Sequence, residues 1–245
     1  MNNNAFKSWG ASLIGPSHLK LGLPNQDAWM SRHYSWGDVV TVSDGLGSRP
    51  RSNVGAKAAC LSVFEAAKAY HICPEAKIED ILRLVHSHWL VKIAPLEPHE
   101  CSATCLFVIR LSGKCLLAQL GDGLIAVCGK SSDEPIFLND NKEDSFSNFT
   151  YGLGLEFMPD QWQTRTVMTE HCNAFVLCTD GISDDLLPEK QSVFARELYL
   201  SYRDCSYQKR TSDLYRWLKN WPVPGHSDDK TVACLFKKER PLNNE

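Results

Sequence analysis

The sequence predicts a layered α+β domain, because its strand-like segments come in runs joined by tight turns and its helical segments come in pairs. Three strand-like segments, Ala103 to Leu111, Lys114 to Leu120 and Leu124 to Cys128, are separated only by short turns that contain glycine. They predict an antiparallel meander. This pattern fits an α+β domain better than a doubly wound parallel sheet.

The other predicted elements follow from the spacing of apolar residues. Further strands are expected at Ser8 to Ile14, Asp38 to Ser43, Ala174 to Cys178 and Thr231 to Phe236. Helices are expected at Asn53 to Tyr70, where Ser52 or Asn53 is available as the N-cap, and at Ile78 to Ile93, Ser192 to Tyr202 and Thr211 to Trp221.

Composition favours one domain over residues 1–245, with 43% hydrophobic and 22% charged residues and no apolar run long enough to span a membrane. A net charge of -3 without a basic block argues against nucleic acid or a membrane surface as partner. The first ten residues lack the features of a secretory signal, and the ten cysteines are scattered through strand-like and helical segments. We therefore expect a cytoplasmic protein, a monomer, with reduced and mostly buried thiols.

Aspartates stand at the ends of several predicted strands: Asp27, Asp44, Asp122, Asp180 and the pair Asp228-Asp229. Taken singly, Asp-Gly is a common turn sequence and indicates no more than a turn. Taken together, these carboxylates would repel one another at one sheet edge unless cations neutralised them. Ligands that are all oxygen favour Mg²⁺ or Mn²⁺ over Zn²⁺.

The order of these motifs along the chain resembles the metal-dependent protein serine/threonine phosphatases of the PPM type, or type 2C, and in particular their compact bacterial members. The motifs are GPSHLKLGLPNQDAW, VVTVSDGLGS, NVGAKAACLSVFEAA, SATCLFVIRLSGKCLLAQLGDG, FVLCTDGISDDL and SDDKTVACLF. The resemblance implies a central β-sandwich of two antiparallel sheets flanked by paired helices, in four layers α-β-β-α. It also implies hydrolysis of phosphoserine and phosphothreonine in proteins by water that two metal ions activate.

The resemblance assigns residues to the metal site. Asp44 would bridge two Mn²⁺ or Mg²⁺ ions, the Gly45 carbonyl would contact one of them, and Asp180 and Asp228 would complete the first ion's shell. The catalytic residues would thus be Asp44, Asp180 and Asp228.

Two further groups of ligands are implied. Asp122 and Asp184 would hold a third, weaker ion, and the spacing of Asp184 four residues after Asp180 suits one face of a helical turn. Asp27 would contact the second ion, but Gln26 stands where many members have glutamate, so one carboxylate contact there is lost or indirect.

The sequence also departs from the family around the substrate. Leu46 stands where eukaryotic members often have a histidine that protonates the leaving alcohol, so water would supply that proton here. The phosphate-binding arginine upstream of Asp27 has no clean match. Of the polar residues available, His18 and Arg49 are the favoured substitutes, and Lys20 and Arg51 are the alternatives.

Other site types find weaker support. The segment from Cys105 to Arg110 has one residue too few for a cysteine-dependent phosphatase loop, no G-x-S-x-G elbow occurs, and Gly152 and Gly154 lack the third glycine of a dinucleotide site. The pairs His71/Cys73, His86/His88 and His99/Cys101 are two residues apart, which does not suit a zinc site on a helix.

A binding module is the main alternative to an enzyme. A relative that had lost catalysis would recognise phosphoproteins or regulate a kinase, and Gln26 supports that reading. Retention of Asp44, Asp180 and Asp228 argues against it, since an inactive protein has no physical need to keep repelling acids together. The expected partners are a phosphorylated protein and a cognate serine/threonine kinase.

Overall fold

A computed structural model describes residues 6–129, 134–138 and 150–238. The elements in chain order are β1 (Phe6–Leu13), α1 (Pro16–Leu21), β2 (Ala28–His33), β3 (Asp38–Ser43), α2 (Ser52–Ile72), α3 (Ile78–Ile93), β4 (Cys105–Arg110), β5 (Lys114–Leu120), β6 (Leu124–Cys128), β7 (Ile136–Leu138), β8 (Trp162–Met168), β9 (Ala174–Cys178), α4 (Asp180–Ser183), α5 (Gln191–Arg203), α6 (Tyr207–Lys219) and β10 (Lys230–Lys237).

The strands form two antiparallel sheets that pack face to face. Sheet A has the order β1-β10-β9-β6-β7, and sheet B has the order β2-β3-β4-β5-β8. Residues of α2 and α3 share a buried cluster with sheet B, while residues of α5 and α6 share another with sheet A. The predicted four-layer α-β-β-α sandwich is confirmed.

Alternation along the central strands explains why both sheet faces are buried. In β10, Cys234 packs towards α5 and α6, whereas Ala233 and Leu235 point between the sheets. In β3, Val39 packs towards α2 and α3, and Val40 contributes to the layer between the sheets. Because successive side chains of a strand point to opposite faces, near-continuous apolar strands build three hydrophobic layers.

The predicted three-stranded meander is wrong in its last strand. β4 and β5 pair with each other, but β6 pairs with β7 and β9 in the other sheet. Gly121 and Gly123 have φ values of 87° and 110°. This left-handed backbone, which glycine adopts without steric cost, turns the chain from sheet B across to sheet A instead of back along β5.

Other differences concern element ends and short strands. α2 begins at Ser52, so the residue before it is Arg51, and neither expected cap is used. β1 begins and ends one to two residues earlier than expected, and α6 begins four residues earlier. The structure adds β2, β7 and β8, which lack the long apolar runs of the central strands.

The burial of the cysteines agrees with expectation. All ten cysteines lie within the described residues as free thiols, and only Cys73 and Cys205 are not buried. Among the helices of the described ranges, none is long and apolar enough to cross a membrane.

Gly55 allows close packing between α2 and the segment before β4, and its replacement tests this contact. An added Cβ would lie 1.6 Å from the Cys101 carbonyl oxygen, and the Gly55 carbonyl accepts a 3.1 Å hydrogen bond from Trp89 Nε1 of α3. We expect Gly55→Ala to lower the free energy of unfolding by about 1–3 kcal/mol, measured by urea denaturation.

Gly154→Ala is the matched control, because an added Cβ there meets its nearest atom at 4.0 Å. Its unfolding midpoint should stay close to that of the unmodified chain. Equal midpoints for the two variants would contradict the packing described for Gly55.

Candidate metal centre

Three aspartates from different parts of the sandwich meet at one end of it. Asp44 follows β3 of sheet B, Asp180 follows β9 of sheet A, and Asp122 lies on the connection between β5 and β6. One carboxylate oxygen of each lies within 4.8 Å of the others. The sequence placed these residues at strand ends, and folding brings them together.

Asp27 and Asp228 complete this group, which we call the acidic cluster. Asp27 is buried, its charge acts on Asp44, and it accepts a 2.8 Å hydrogen bond from Thr179 Oγ1. The charge of Asp228 acts on both Asp44 and Asp180. The acidic cluster therefore consists of Asp27, Asp44, Asp122, Asp180 and Asp228.

Burial and mutual repulsion raise the pKa values of three of these carboxyls, Asp27, Asp44 and Asp180. Burial, followed by the charge of Asp27, raises the pKa of Asp44 well above its usual range. Burial, followed by the charge of Asp122, raises the pKa of Asp180 to about 7, and burial raises that of Asp27 to about 6. The acidic cluster thus holds protons near neutral pH unless cations replace them.

The backbone around Asp44 is fixed by hydrogen bonds to neighbouring segments. Its N–H donates to Thr104 Oγ1 at 2.8 Å, and its carbonyl accepts from the Thr104 N–H at 2.7 Å. The Gly45 N–H donates to the Gln26 carbonyl at 3.1 Å, and a Cβ on Gly45 would lie 2.7 Å from atoms of Ser52. Glycine after Asp44 is thus required by close packing against the start of α2.

The donor set suits a hard divalent cation. It consists of carboxylate oxygens, and the packed Asp44-Gly45 turn fixes the backbone that carries the Asp44 carboxylate. An all-oxygen site with several negative charges favours Mg²⁺, Mn²⁺ or Ca²⁺ over softer metals. These residues therefore fit a metal centre.

Asp184 lies one helical turn after Asp180. Its N–H donates to the Asp180 carbonyl at 2.9 Å, and its charge contributes to the raised pKa of Asp180. Asp180, Asp184 and Asp228 line a small cleft of about 210 Å³. In the described residues, the group of three carboxylates within 4.8 Å contains Asp122 but not Asp184.

Arg49 is placed to bind an anion beside the acidic cluster. It lines an open cleft of about 280 Å³, the phosphate cleft, together with Gln26, Asp44, Asp180 and Asp228. Its Nε is buried and has no hydrogen-bond partner among the described residues. A buried donor of this kind is costly unless a ligand accepts from it.

His18 occupies a different position from Arg49. Its Nδ1 lies 2.9 Å from Asp229 Oδ2, and it does not line the phosphate cleft. The structure gives His18 a contact with a buried carboxylate. Its predicted contact with substrate stays a prediction.

Sequence reasoning missed the role of Asp229, although the Asp228-Asp229 pair was visible. Asp229 is 1% exposed and accepts hydrogen bonds of 2.6 Å from both Gly15 N and Gln26 N. A Cβ on Gly181 would lie 1.9 Å from the Asp229 carbonyl oxygen. Asp229 therefore connects the segment before Asp27 to the turn that carries Asp180.

The sequence model of the family described as Protein phosphatase 2C matches residues 14–219. The chain belongs to the protein phosphatase 2C family. Members are metal-dependent protein phosphatases, so the predicted family and function class are confirmed, and the binding-module alternative is not favoured.

Solved structures show the same fold at low sequence identity. A C. elegans sex determining protein has a TM-score of 0.66 and 18% identity, covering 95% of this chain and 65% of its own length. Serine/threonine phosphatase Stp1 from Staphylococcus aureus has a TM-score of 0.64 and 13% identity, covering 96% of each chain. RsbX in complex with magnesium has a TM-score of 0.60 and 13% identity, covering 97% of each.

The comparison with curated proteins gives no significant match. Among the solved structures, the chain spans 65% of the C. elegans protein but nearly the full length of Stp1 and RsbX.

The raised pKa values predict how the stability of this phosphatase 2C family member depends on pH without metal. The folded state binds more protons than the unfolded state between the ordinary carboxyl value of 3.8 and about 7, so stability falls as pH rises through that window. We expect the urea midpoint in chelator to decrease from pH 5 to pH 8.

Asp44→Asn should make that decrease smaller, because it removes a charge that faces Asp27 and Asp180. Asp160→Asn, at an exposed site, should leave it unchanged. An identical pH dependence in Asp44→Asn would contradict the proton-holding cluster.

Neighbouring aspartates should respond differently to removal. Asp229→Ala leaves the buried Gly15 and Gln26 N–H groups without their acceptor, so unfolding free energy in chelator should drop by about 2 kcal/mol or more. Asp228→Ala removes only a 2.8 Å bond from the adjacent Asp229 N–H and relieves repulsion. Its urea midpoint should be close to that of the unmodified chain, and a larger loss than in Asp229→Ala would refute these roles.

Proposed function

We propose that this chain is an active phosphatase that hydrolyses phosphoserine and phosphothreonine in proteins with Mn²⁺ or Mg²⁺. The observation that carries the proposal is the meeting of Asp44, Asp122 and Asp180 carboxylates within 4.8 Å. The raised pKa values of Asp44 and Asp180 support it, since these carboxyls are costly to ionise without a cation. The magnesium complex of RsbX, which shares the fold, supports the choice of ion.

In this proposal, Asp44, the Gly45 carbonyl, Asp180 and Asp228 would hold the first ion, and Asp44 and Asp27 would contact the second. Asp122 and Asp184 would hold a third. When bound, two neighbouring ions lower the pKa of a shared water and neutralise charge on the phosphoryl oxygens.

The chain's own residues bind and orient the phosphoester. Arg49, with its buried unpartnered Nε, donates to a phosphate oxygen in the phosphate cleft. A water oxygen forms the new bond to phosphorus as the ester oxygen leaves. Leu46 lines the same cleft and has no proton to give, so solvent water protonates the alcohol.

The wider setting completes the proposal. Residues 1–245 act as one phosphatase domain and as a monomer, on a phosphorylated protein that a cognate serine/threonine kinase produces. A cytoplasmic location agrees with ten free thiols, eight of them buried. The polar segment Ser131 to Thr150, to which we assign substrate specificity, lies largely outside the described residues.

Asp44→Asn tests the proposal directly. With p-nitrophenyl phosphate and a phosphothreonine peptide in Mn²⁺ buffer, the variant should lose on the order of 100-fold or more in kcat/KM, because a charged ligand is removed. The rise in melting temperature that Mn²⁺ causes in the unmodified chain should shrink in the variant, since only the folded state binds the ion.

Asp160→Asn, with its exposed side chain, is the matched control and should keep both activity and the Mn²⁺ response. An unmodified chain that binds Mn²⁺ but hydrolyses neither substrate would refute the enzyme and support the binding module.

A further inference from the structure

An apolar cleft, which Arg49 does not line, adjoins the acidic cluster at Asp228. It has a volume of about 230 Å³, and its walls come from the end of β1, from α1 and from α6. Asp228 lines this cleft and also the phosphate cleft. The apolar wall residues are Leu13, Ile14, Pro16, Leu19, Tyr215 and Leu218.

The helix α1 supplies apolar surface without burying it. None of its residues is buried, and Leu19 and Leu21 are 63% and 69% exposed. Tyr215 of α6, which also lines the cleft, is 52% exposed. Apolar side chains grouped around a concave surface, rather than scattered singly, mark a place where another apolar group binds.

The apolar cleft is held in a fixed position relative to Asp228. The Ser17 N–H donates to the Ser227 carbonyl at 3.0 Å, and the Gly15 N–H donates to Asp229 Oδ1 at 2.6 Å. A Cβ on Gly15 would lie 2.3 Å from the Asp228 carbonyl carbon. The start of α1 therefore packs directly on the backbone of a residue in the acidic cluster, and the two sites keep one geometry.

We propose that this cleft binds an apolar side chain of the phosphoprotein substrate, a few residues from the phosphorylated serine or threonine. The proposal rests on the proposed function. Asp228 is shared by the apolar cleft and the phosphate cleft, and an extended chain advances only about 3.3 Å per residue, so one short peptide reaches both.

Its size also favours one side chain over a larger partner. A volume of about 230 Å³ is below the roughly 300–1,000 Å³ of pockets for drug-sized ligands. A stable dimer needs on the order of 800 Å² from each partner, which a small concave cleft does not offer. The substrate is thus a phosphopeptide with a large apolar residue near the phosphate.

Phosphothreonine peptides that carry leucine or serine at each of the three positions on either side provide the test. In Mn²⁺ buffer, kcat/KM should be about 10-fold higher for leucine at one position, because a filled apolar pocket discriminates by roughly that factor. Leu19→Ser should reduce this preference to within about 3-fold. Leu187→Ser, at a residue that is 60% exposed and lines none of the clefts described, should retain it.

Each outcome separates the inference from the proposed function. Hydrolysis of p-nitrophenyl phosphate without any leucine preference would overturn the inference and leave the proposed function standing. If no substrate is hydrolysed, the proposed function fails, and fluorescence anisotropy of the same peptides decides the inference by the presence or absence of the Leu19-dependent preference. A dimer by light scattering that Leu19→Ser dissociates would assign the cleft to a second copy and also overturn it.

Discussion

Repulsion among closely spaced, half-buried carboxylates is the constraint around which this structure is organised. Closing two sheets into a sandwich brings Asp44 from one sheet and Asp180 from the other to the same end, with Asp122 between them. Burial adds to the free-energy cost of ionising these carboxyls, since it raises the pKa of Asp180 to about 7. The apolar layers on both faces of each sheet offset this cost, and a divalent cation removes it.

Two adjacent aspartates, Asp228 and Asp229, have different roles at this end of the sandwich. Asp228 acts through its charge on Asp44 and Asp180, whereas the Asp229 carboxylate accepts hydrogen bonds from two backbone N–H groups. The Asp229 carboxylate faces the segment before Asp27, whose N–H groups it accepts from, while the Asp228 charge acts on the acidic cluster. The same pair also fixes the start of α1, where the apolar cleft begins.

Sequence reasoning succeeded where local pattern decides the outcome. The bounds of β3, β5, β6, β9 and α3 agree with those expected, because long apolar runs and helical spacing define them. The sheet to which β6 belongs depends on the backbone angles of two glycines, which the sequence permits but does not specify. The sequence does not predict β8, because most of its side chains are exposed and it has no apolar run.

In the candidate site, too, local sequence identifies some residues, whereas other contacts are set only by the fold. Strand ends followed by Asp-Gly, in family order, identified the acids that meet as Asp44, Asp122 and Asp180. The contact between His18 and Asp229 joins residues over two hundred positions apart, and no local signal marks it. A buried guanidinium nitrogen without a hydrogen-bond partner, such as Arg49 Nε, likewise becomes visible only when its surroundings are known.

The crossing from β5 to β6 has a mechanical consequence. Three residues, Gly121 to Gly123, tether the two sheets, and the central one carries a carboxylate of the acidic cluster. Any sliding of one sheet over the other would change the separations among Asp44, Asp122 and Asp180. A cation held there would bind carboxylates from both sheets. The affinity of the site for that cation would therefore depend on the alignment of the two sheets.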